Sequence, residues 1–153
     1  MTGAGGLAVA VDLASRRRDE AGQALAQMLR RHDQAVQQME QLESYAADTQ
    51  ARWSVSAQTS TSPQIVGHYY QFMARLDQTI VLQQGVIDDL LRQCHAARKI
   101  LLAAEVYLAG LKRLRERRRQ EQARIAALRE QKQTDEFASR RRTAAHHASR
   151  DSP

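Results

Sequence analysis

Small or apolar residues recur every three or four positions through the first third of this chain. Counting from Leu7 in alternating steps of four and three, only three positions are polar. The positions are Leu7, Val11, Ala14, Arg18, Ala21, Leu25, Met28, His32, Ala35, Met39, Leu42, Ala46, Thr49 and Trp53. An apolar period of about 3.5 residues makes a narrow seam that another helix must cover. The first third is therefore predicted to be one helix of a coiled coil.

A second seam follows in the middle of the chain, and it is interrupted by polar residues. Its predicted positions are Ile65, Tyr69, Phe72, Leu76, Thr79, Gln83, Val86, Leu90, Gln93, Ala97, Ile100, Ala104, Tyr107, Leu111 and Leu114. A flanking stripe widens the apolar face and consists of Ile80, Ile87, Leu91, Cys94, Leu101 and Leu108. Two glycines inside the pattern, Gly85 and Gly110, each cost roughly 1 kcal/mol relative to alanine.

One break separates the two seams. Residues 54–63 are rich in Ser and Thr, which disfavour helix interiors, and Ser62-Pro63 is typical of an N-cap followed by a first helical residue. We therefore predict an all-α fold, a long antiparallel two-helix coiled coil with a C-terminal helical overhang. The predicted bounds are a flexible lead at 1–6, helices at 7–53 and 64–139, a turn at 54–63 and a disordered tail at 140–153.

Folding back at this break predicts which residues face each other. Tyr45 is expected opposite Phe72, and Leu42 opposite Arg75 or Leu76. Beyond Gly110 the second helix has no partner, so the segment up to Ser139 is expected to project roughly 40 Å past the first helix. That overhang is rich in arginine, and the net charge of +6 predicts an acidic partner such as nucleic acid, an anionic membrane surface or an acidic protein ring.

The sequence carries no enzyme signature. The glycines at residues 3, 5 and 6 lack the preceding strand and the Lys-Ser/Thr of a phosphate-binding loop. Cys94 and His95 are adjacent on a helix, so their side chains diverge and cannot share a metal ion. No apolar run approaches the roughly 20 residues that span a bilayer. We therefore expect a non-enzymatic cytoplasmic protein without a metal ion or cofactor.

Several segments together resemble the flagellar type III export protein family FliJ. They are Asp12-Leu13-Ala14, Met28-Leu-Arg-Arg31, the Gln38…Leu42…Tyr45 ladder, His68-Tyr-Tyr-Gln-Phe72 with Leu76, and Asp135-Glu136-Phe137-Ala138. The resemblance follows the chain in order over nearly its whole length. The last segment, which comes after a long arginine-rich helix, is the most persuasive.

The resemblance implies a stalk and adaptor at the inner face of the cytoplasmic membrane. Proteins of this family bind the hexameric flagellar export ATPase, the cytoplasmic domain of the export-gate protein FlhA and export chaperones, and they couple the ATPase to the gate. The residues that match the family's gate-binding pattern are Gln38, Leu42, Tyr45, Phe72 and Leu76. Those expected to meet the ATPase ring are Arg16, Arg17, Arg113, Arg117, Arg118, Arg119 and Arg124.

Thr49, Thr79 and Gln83 depart from that gate-binding pattern, where family members often carry an aromatic residue, a small residue and a histidine. Two other functions fit the composition. A basic coiled coil could bind nucleic acid through phosphate contacts, although acidic residues interleave with the arginines and no nucleic acid is expected. Two chains could also pair lengthwise as a generic dimeric scaffold.

Overall fold

The structure is a computed structural model that describes residues 2–56 and 62–152. It contains two helices, α1 (Thr2–Ser56) and α2 (Pro63–Arg150), and no strand within these described ranges. The chain divides into two compact units, one comprising Met1–Leu13 with Tyr107–Pro153 and the other comprising Ala14–Val106. In each unit a segment of α1 packs against a segment of α2, which confirms the predicted all-α two-helix fold.

The seam predicted for α1 is confirmed along its whole length. Every one of its positions from Leu7 to Trp53 is buried or half-buried. Among the α1 residues of the 14–106 unit, Ala14, Ala35 and Met39 are the most deeply buried, whereas the residues flanking the seam are mostly exposed. A stripe this narrow is the burial pattern of a coiled coil rather than of a globular core.

Contacts within the 14–106 unit show that its two segments run antiparallel. The Trp53 and Tyr69 rings stack with centroids 4.3 Å apart, and the Tyr45 and Phe72 rings meet edge-on at 5.9 Å. Further from the break, the Gln83 amide donates to the Ala35 carbonyl at 2.8 Å. As residue numbers fall along α1 they rise along α2, which is the pairing of a hairpin. The expected proximity of Tyr45 and Phe72 is confirmed.

In the other unit, the first turns of α1 pack against the middle of α2. Leu7 and Val11 of α1 and Leu108 of α2 are buried, and the Arg118 guanidinium donates to the Gly3 carbonyl at 3.2 Å. From Lys112 to Arg150 every residue of α2 is exposed. We call residues 112–150 the basic arm. It covers the predicted overhang from Lys112 to Ser139 and continues past its predicted end, and its first turns still reach α1 through Arg118.

Half of the seam predicted for α2 was wrong by one residue. The buried and half-buried positions are Val66, Tyr69, Met73, Leu76, Ile80, Gln83, Ile87, Leu90, Cys94, Ala97, Leu101, Ala104, Leu108 and Leu111. Every second predicted position, from Ile65 to Tyr107 in steps of seven, lies one residue too early and is exposed. The observed frame replaces Thr79 and Gln93 with Ile80 and Cys94, so Gln83 is its only polar member and the seam buries more apolar surface.

The ends of the helices also differ from those predicted. α1 begins at Thr2 rather than after a lead of residues 1–6, and α2 continues to Arg150 rather than ending at 139. Residues 143–150 contain three alanines, which favour helix, and His147 and Arg150 complement the negative end of the helix dipole.

At the break, α1 continues through Ser54–Ser56, and residues 57–61 of the predicted turn lie outside the described residues. Ser62 is the predicted N-cap of α2, because its Oγ accepts from the Ile65 N–H at 3.4 Å. The Ser62 carbonyl accepts from the Val66 N–H at 3.2 Å and so closes the first helical turn.

Two glycines inside α2 offer a test of the helix itself. A Cβ added at Gly85 or at Gly110 would meet nothing within 4 Å. We therefore expect Gly85→Ala and Gly110→Ala each to raise the free energy of unfolding by about 0.5–1 kcal/mol. Urea unfolding followed by circular dichroism measures this gain, and a loss of stability in either variant would mean that the glycine meets a neighbour.

Candidate protein-binding sites

The residues assigned to gate binding lie in the 14–106 unit and fall into two groups. Gln38, Tyr45 and Phe72 are exposed, with Tyr45 at 54% and Phe72 at 39%. The Tyr45 and Phe72 rings meet edge-on at 85°, one from each helix. This geometry is favourable for an aromatic pair and leaves both rings accessible, so the pair forms a small apolar surface on one side of the two helices.

The other two assigned residues belong to the seam. Leu76 is only 7% exposed and Leu42 is half-buried. They cannot offer much surface to a partner, because their side chains are covered by the two helices themselves. Their contribution is to fix the backbone beneath the exposed aromatic pair.

Gln83 orients one of the exposed residues. Its Nε2 donates both to the Ala35 carbonyl at 2.8 Å and to the Gln38 Oε1 at 3.2 Å. A backbone carbonyl can only accept, so the Gln83 nitrogen must face it, and the neighbouring Gln38 atom must then be oxygen. Gln38 therefore turns its amide oxygen toward Gln83 and holds its NH2 on the other side of the amide group. Sequence reasoning missed this link and noted Gln83 as a polar interruption of the seam and as a departure from the family's gate-binding pattern.

Further aromatic residues lie toward the break. Trp53 and Tyr69 are half-buried and their rings are nearly parallel, at 6°. The adjacent Tyr70 packs its edge against Tyr69 with centroids 5.5 Å apart and remains 64% exposed. The stacked pair is structural, because Trp53 and Tyr69 both occupy seam positions, whereas Tyr70 faces outward.

Five of the arginines assigned to the ATPase ring lie on exposed turns of the basic arm, Arg113, Arg117, Arg118, Arg119 and Arg124. Successive residues of a helix point about 100° apart, so Arg117, Arg118 and Arg119 point in different directions around the axis. Arg118 alone among them bonds α1, at the Gly3 carbonyl. The basic arm therefore presents positive charge around its circumference rather than on one face.

Acidic residues of the basic arm pair locally with two of these arginines. Arg124 lies 2.6 Å from a Glu121 carboxylate oxygen, and Arg119 lies 3.6 Å from Glu116. The hydrogen bond from Arg124, and then its charge, lowers the pKa of Glu121. The pair therefore supports the helix above the pKa of Glu121 in the unfolded chain, and this support is lost as the pH falls through the folded-state pKa. Both side chains are exposed, so salt screens the pair.

The remaining two assigned arginines, Arg16 and Arg17, belong to the 14–106 unit, where both are exposed. Arg17 occupies a position directly beside the seam, and Arg16 is one position further out. Both residues therefore contribute positive charge to the surface of that unit.

Two features are absent from the described residues. Within residues 2–56 and 62–152, no group of three or more His, Cys, Asp and Glu side chains could hold a metal ion. In the same ranges, neither helix has a stretch long and apolar enough to cross a membrane.

Comparison with known proteins identifies the family. The family model described as "Flagellar FliJ protein" matches residues 6–146, which is nearly the whole chain. The comparisons with curated proteins and with solved structures gave no match. Proteins of the matched family are non-enzymatic components of the flagellar export apparatus. A match of this extent shows that the chain belongs to the flagellar FliJ family.

Proposed function

We propose that this protein is a non-enzymatic stalk and adaptor of the flagellar export apparatus. It binds the hexameric export ATPase, the cytoplasmic domain of the export-gate protein FlhA and export chaperones, and it couples the ATPase to the gate. The observation that carries the proposal is that a member of the FliJ family presents a basic helical arm in which every residue from Lys112 to Arg150 is exposed.

The proposed gate-binding surface consists of Gln38, Tyr45 and Phe72. Two accessible aromatic rings and one oriented amide match the composition of binding hot spots, where aromatic anchors supply energy and polar groups supply direction. The NH2 of Gln38 selects a carbonyl or carboxylate oxygen on the gate protein. Leu42 and Leu76 support this surface from within the seam.

The proposed ATPase-binding element is the basic arm. Beyond Arg118 the basic arm continues for roughly 50 Å as an exposed helix, without the packed apolar face that supplies most helical stability in proteins. Positive charge all round its axis suits a partner that encloses the helix, such as a ring lined by acidic and polar groups. Charge complementarity of this kind speeds docking and selects the partner more than it sets the final affinity. Arg16 and Arg17 are included in the proposal as exposed cations of the other unit.

The cellular location follows from the proposed partners. Binding to the gate and to the ATPase would hold the protein in the cytoplasm at the inner face of the membrane, through protein contacts rather than by insertion.

The gate-binding surface is tested with Tyr45→Ala and Phe72→Ala, each in the full chain. Because hot-spot aromatics contribute about 2 kcal/mol or more, we expect the affinity for the FlhA cytoplasmic domain to fall at least about tenfold in either variant. Titration calorimetry measures the affinity, and circular dichroism checks that helix content is unchanged. Leu76 is kept, because truncating a buried side chain would mix folding with binding.

Tyr70→Ala is the matched control. It removes an aromatic ring of greater exposure from the same unit. Tyr70 is two residues from Phe72 and therefore points about 200° away from it around α2. We expect its affinity for the gate protein to equal that of the unaltered chain. Equal losses in all three variants, or no loss in any, would contradict the proposed surface.

A further inference from the structure

With the seam of α2 corrected, a stripe of exposed residues remains on α2 within the 14–106 unit. The stripe consists of two neighbouring rows, and in each row the residues are seven positions apart. One row is Ile65, Phe72, Thr79, Val86, Gln93 and Ile100, and the other is His68, Arg75, Leu82, Asp89, Ala96 and Ala103. Every one of these residues is exposed. Leu82 at 72%, Ile100 at 63% and Ile65 at 51% are among its large apolar members.

The spacing of the stripe fits a helix as its partner. Apolar residues repeating at seven positions keep facing a second helix over many turns, as the seam itself does. Large exposed apolar residues that recur along one side of a helix, among polar ones, are typical of a protein-interaction surface. From residue 65 to residue 103 the stripe extends roughly 55 Å along the helix.

Charged residues of the stripe indicate which helix covers it. Arg75 and Asp89 lie seven positions before and seven positions after Leu82. A second α2 laid antiparallel about a two-fold axis at Leu82 would place Arg75 beside Asp89 of the other copy, and Asp89 beside its Arg75. A parallel copy in register would instead place like charges together, which destabilises the pair.

The apolar row obeys the same symmetry. With Leu82 on the axis, the residues of this row come within one residue of level with each other: Ile65 with Ile100 of the other copy, Val86 with Thr79, and Phe72 with Gln93. The two Leu82 side chains meet on the axis. The interface is then self-complementary, as a two-fold dimer requires. The Asp89 carboxylate already holds Arg92 of its own helix at 3.1 Å, but that pair is exposed and therefore weak.

From this juxtaposition we propose that the partner of the stripe is a second copy of this chain, docked antiparallel along α2 with Leu82 at the two-fold axis. The proposal goes beyond the adaptor function and does not depend on it. Phe72 belongs to both surfaces, so self-association and binding through Phe72 compete for the same ring.

Charge exchange tests the proposal. We expect sedimentation velocity to show a concentration-dependent dimer of the unaltered chain. Arg75→Asp or Asp89→Arg alone should raise the dimer dissociation constant about tenfold, because each change creates two like-charge contacts. The double variant R75D/D89R restores both pairs and should return the constant to near its original value. A chain that stays monomeric at the highest soluble concentration, or a double variant as weak as the single ones, would overturn the proposal.

Disulfide trapping gives an independent measurement. In a Cys94→Ala background, Leu82→Cys places two thiols on the proposed axis, whereas Leu102→Cys places one at a comparably exposed position on another side of α2. We expect the position 82 thiols to form an intermolecular disulfide several times faster than those at position 102. Equal rates at the two positions would overturn the proposed arrangement, even if the chain dimerises by another surface.

Discussion

Leu76→Ala is expected to lower the free energy of unfolding by about 2–4 kcal/mol. Leu76 is 7% exposed in the seam, and its truncation removes buried apolar surface and leaves a cavity between the helices. Phe72→Ala, four residues earlier, is expected to cost less than about 1.5 kcal/mol, because that ring is partly exposed and mainly loses its contact with Tyr45. Urea unfolding monitored by circular dichroism measures both changes.

Val81→Ala serves as the control for Leu76→Ala. Val81 is 71% exposed, so its truncation removes little buried surface and should change stability by less than about 0.5 kcal/mol. If Leu76→Ala were no more destabilising than Val81→Ala, α2 would not bury the face described here. The contrast thus distinguishes the residues that hold the two helices together from those left for partners.

Replacing Arg117, Arg118 and Arg119 with Glu is expected to reduce stimulation of the export ATPase at least about tenfold. Each reversal turns an attraction to an acidic lining into a repulsion, and like-charge contacts at an interface are costly. Glutamate is as good a helix former as arginine, so helix content should be unchanged. A steady-state ATPase assay at two salt concentrations measures the effect, which should shrink as salt rises.

The matched control reverses three cations of the 14–106 unit, Arg92, Arg98 and Lys99. All three are exposed, and their reversal changes the net charge by the same amount. We expect stimulation of the ATPase to stay near that of the unaltered chain. Comparable losses in both triple variants would show that overall charge, rather than the basic arm, is what the ATPase senses.

The sequence alone predicted the fold class, the seam of α1 and the N-cap at Ser62. The first seam was readable because its flanks are largely polar, so only one frame buries apolar residues. On α2 two sets of seam positions, one residue apart, fit the pattern equally well, because Phe72, Val86 and Ile100 are as apolar as Met73, Ile87 and Leu101. Rejecting Thr79 and Gln93 as seam members would have given the right choice.

The candidate site was predicted only in part. Sequence reasoning placed Tyr45 opposite Phe72, but it did not predict that these rings are exposed while Leu76 is buried. Which of the α2 residues faces outward depends on which positions form the seam, and half of these were predicted wrongly. The orientation of Gln38 by Gln83 depends on side-chain conformations that no spacing rule contains. The extra helical turns at residues 140–150 were missed because their periodicity fades, although their alanines favour helix.

The most direct test of the proposed function is whether the gate-binding surface and the basic arm can be impaired independently of each other. Y45A/F72A and R117E/R118E/R119E are each titrated against the FlhA cytoplasmic domain and against the export ATPase. We expect Y45A/F72A to lose affinity for the gate protein alone. We expect R117E/R118E/R119E to lose affinity for the ATPase alone. Two variants that weaken both partners equally, or that leave both affinities intact, would contradict the proposed function.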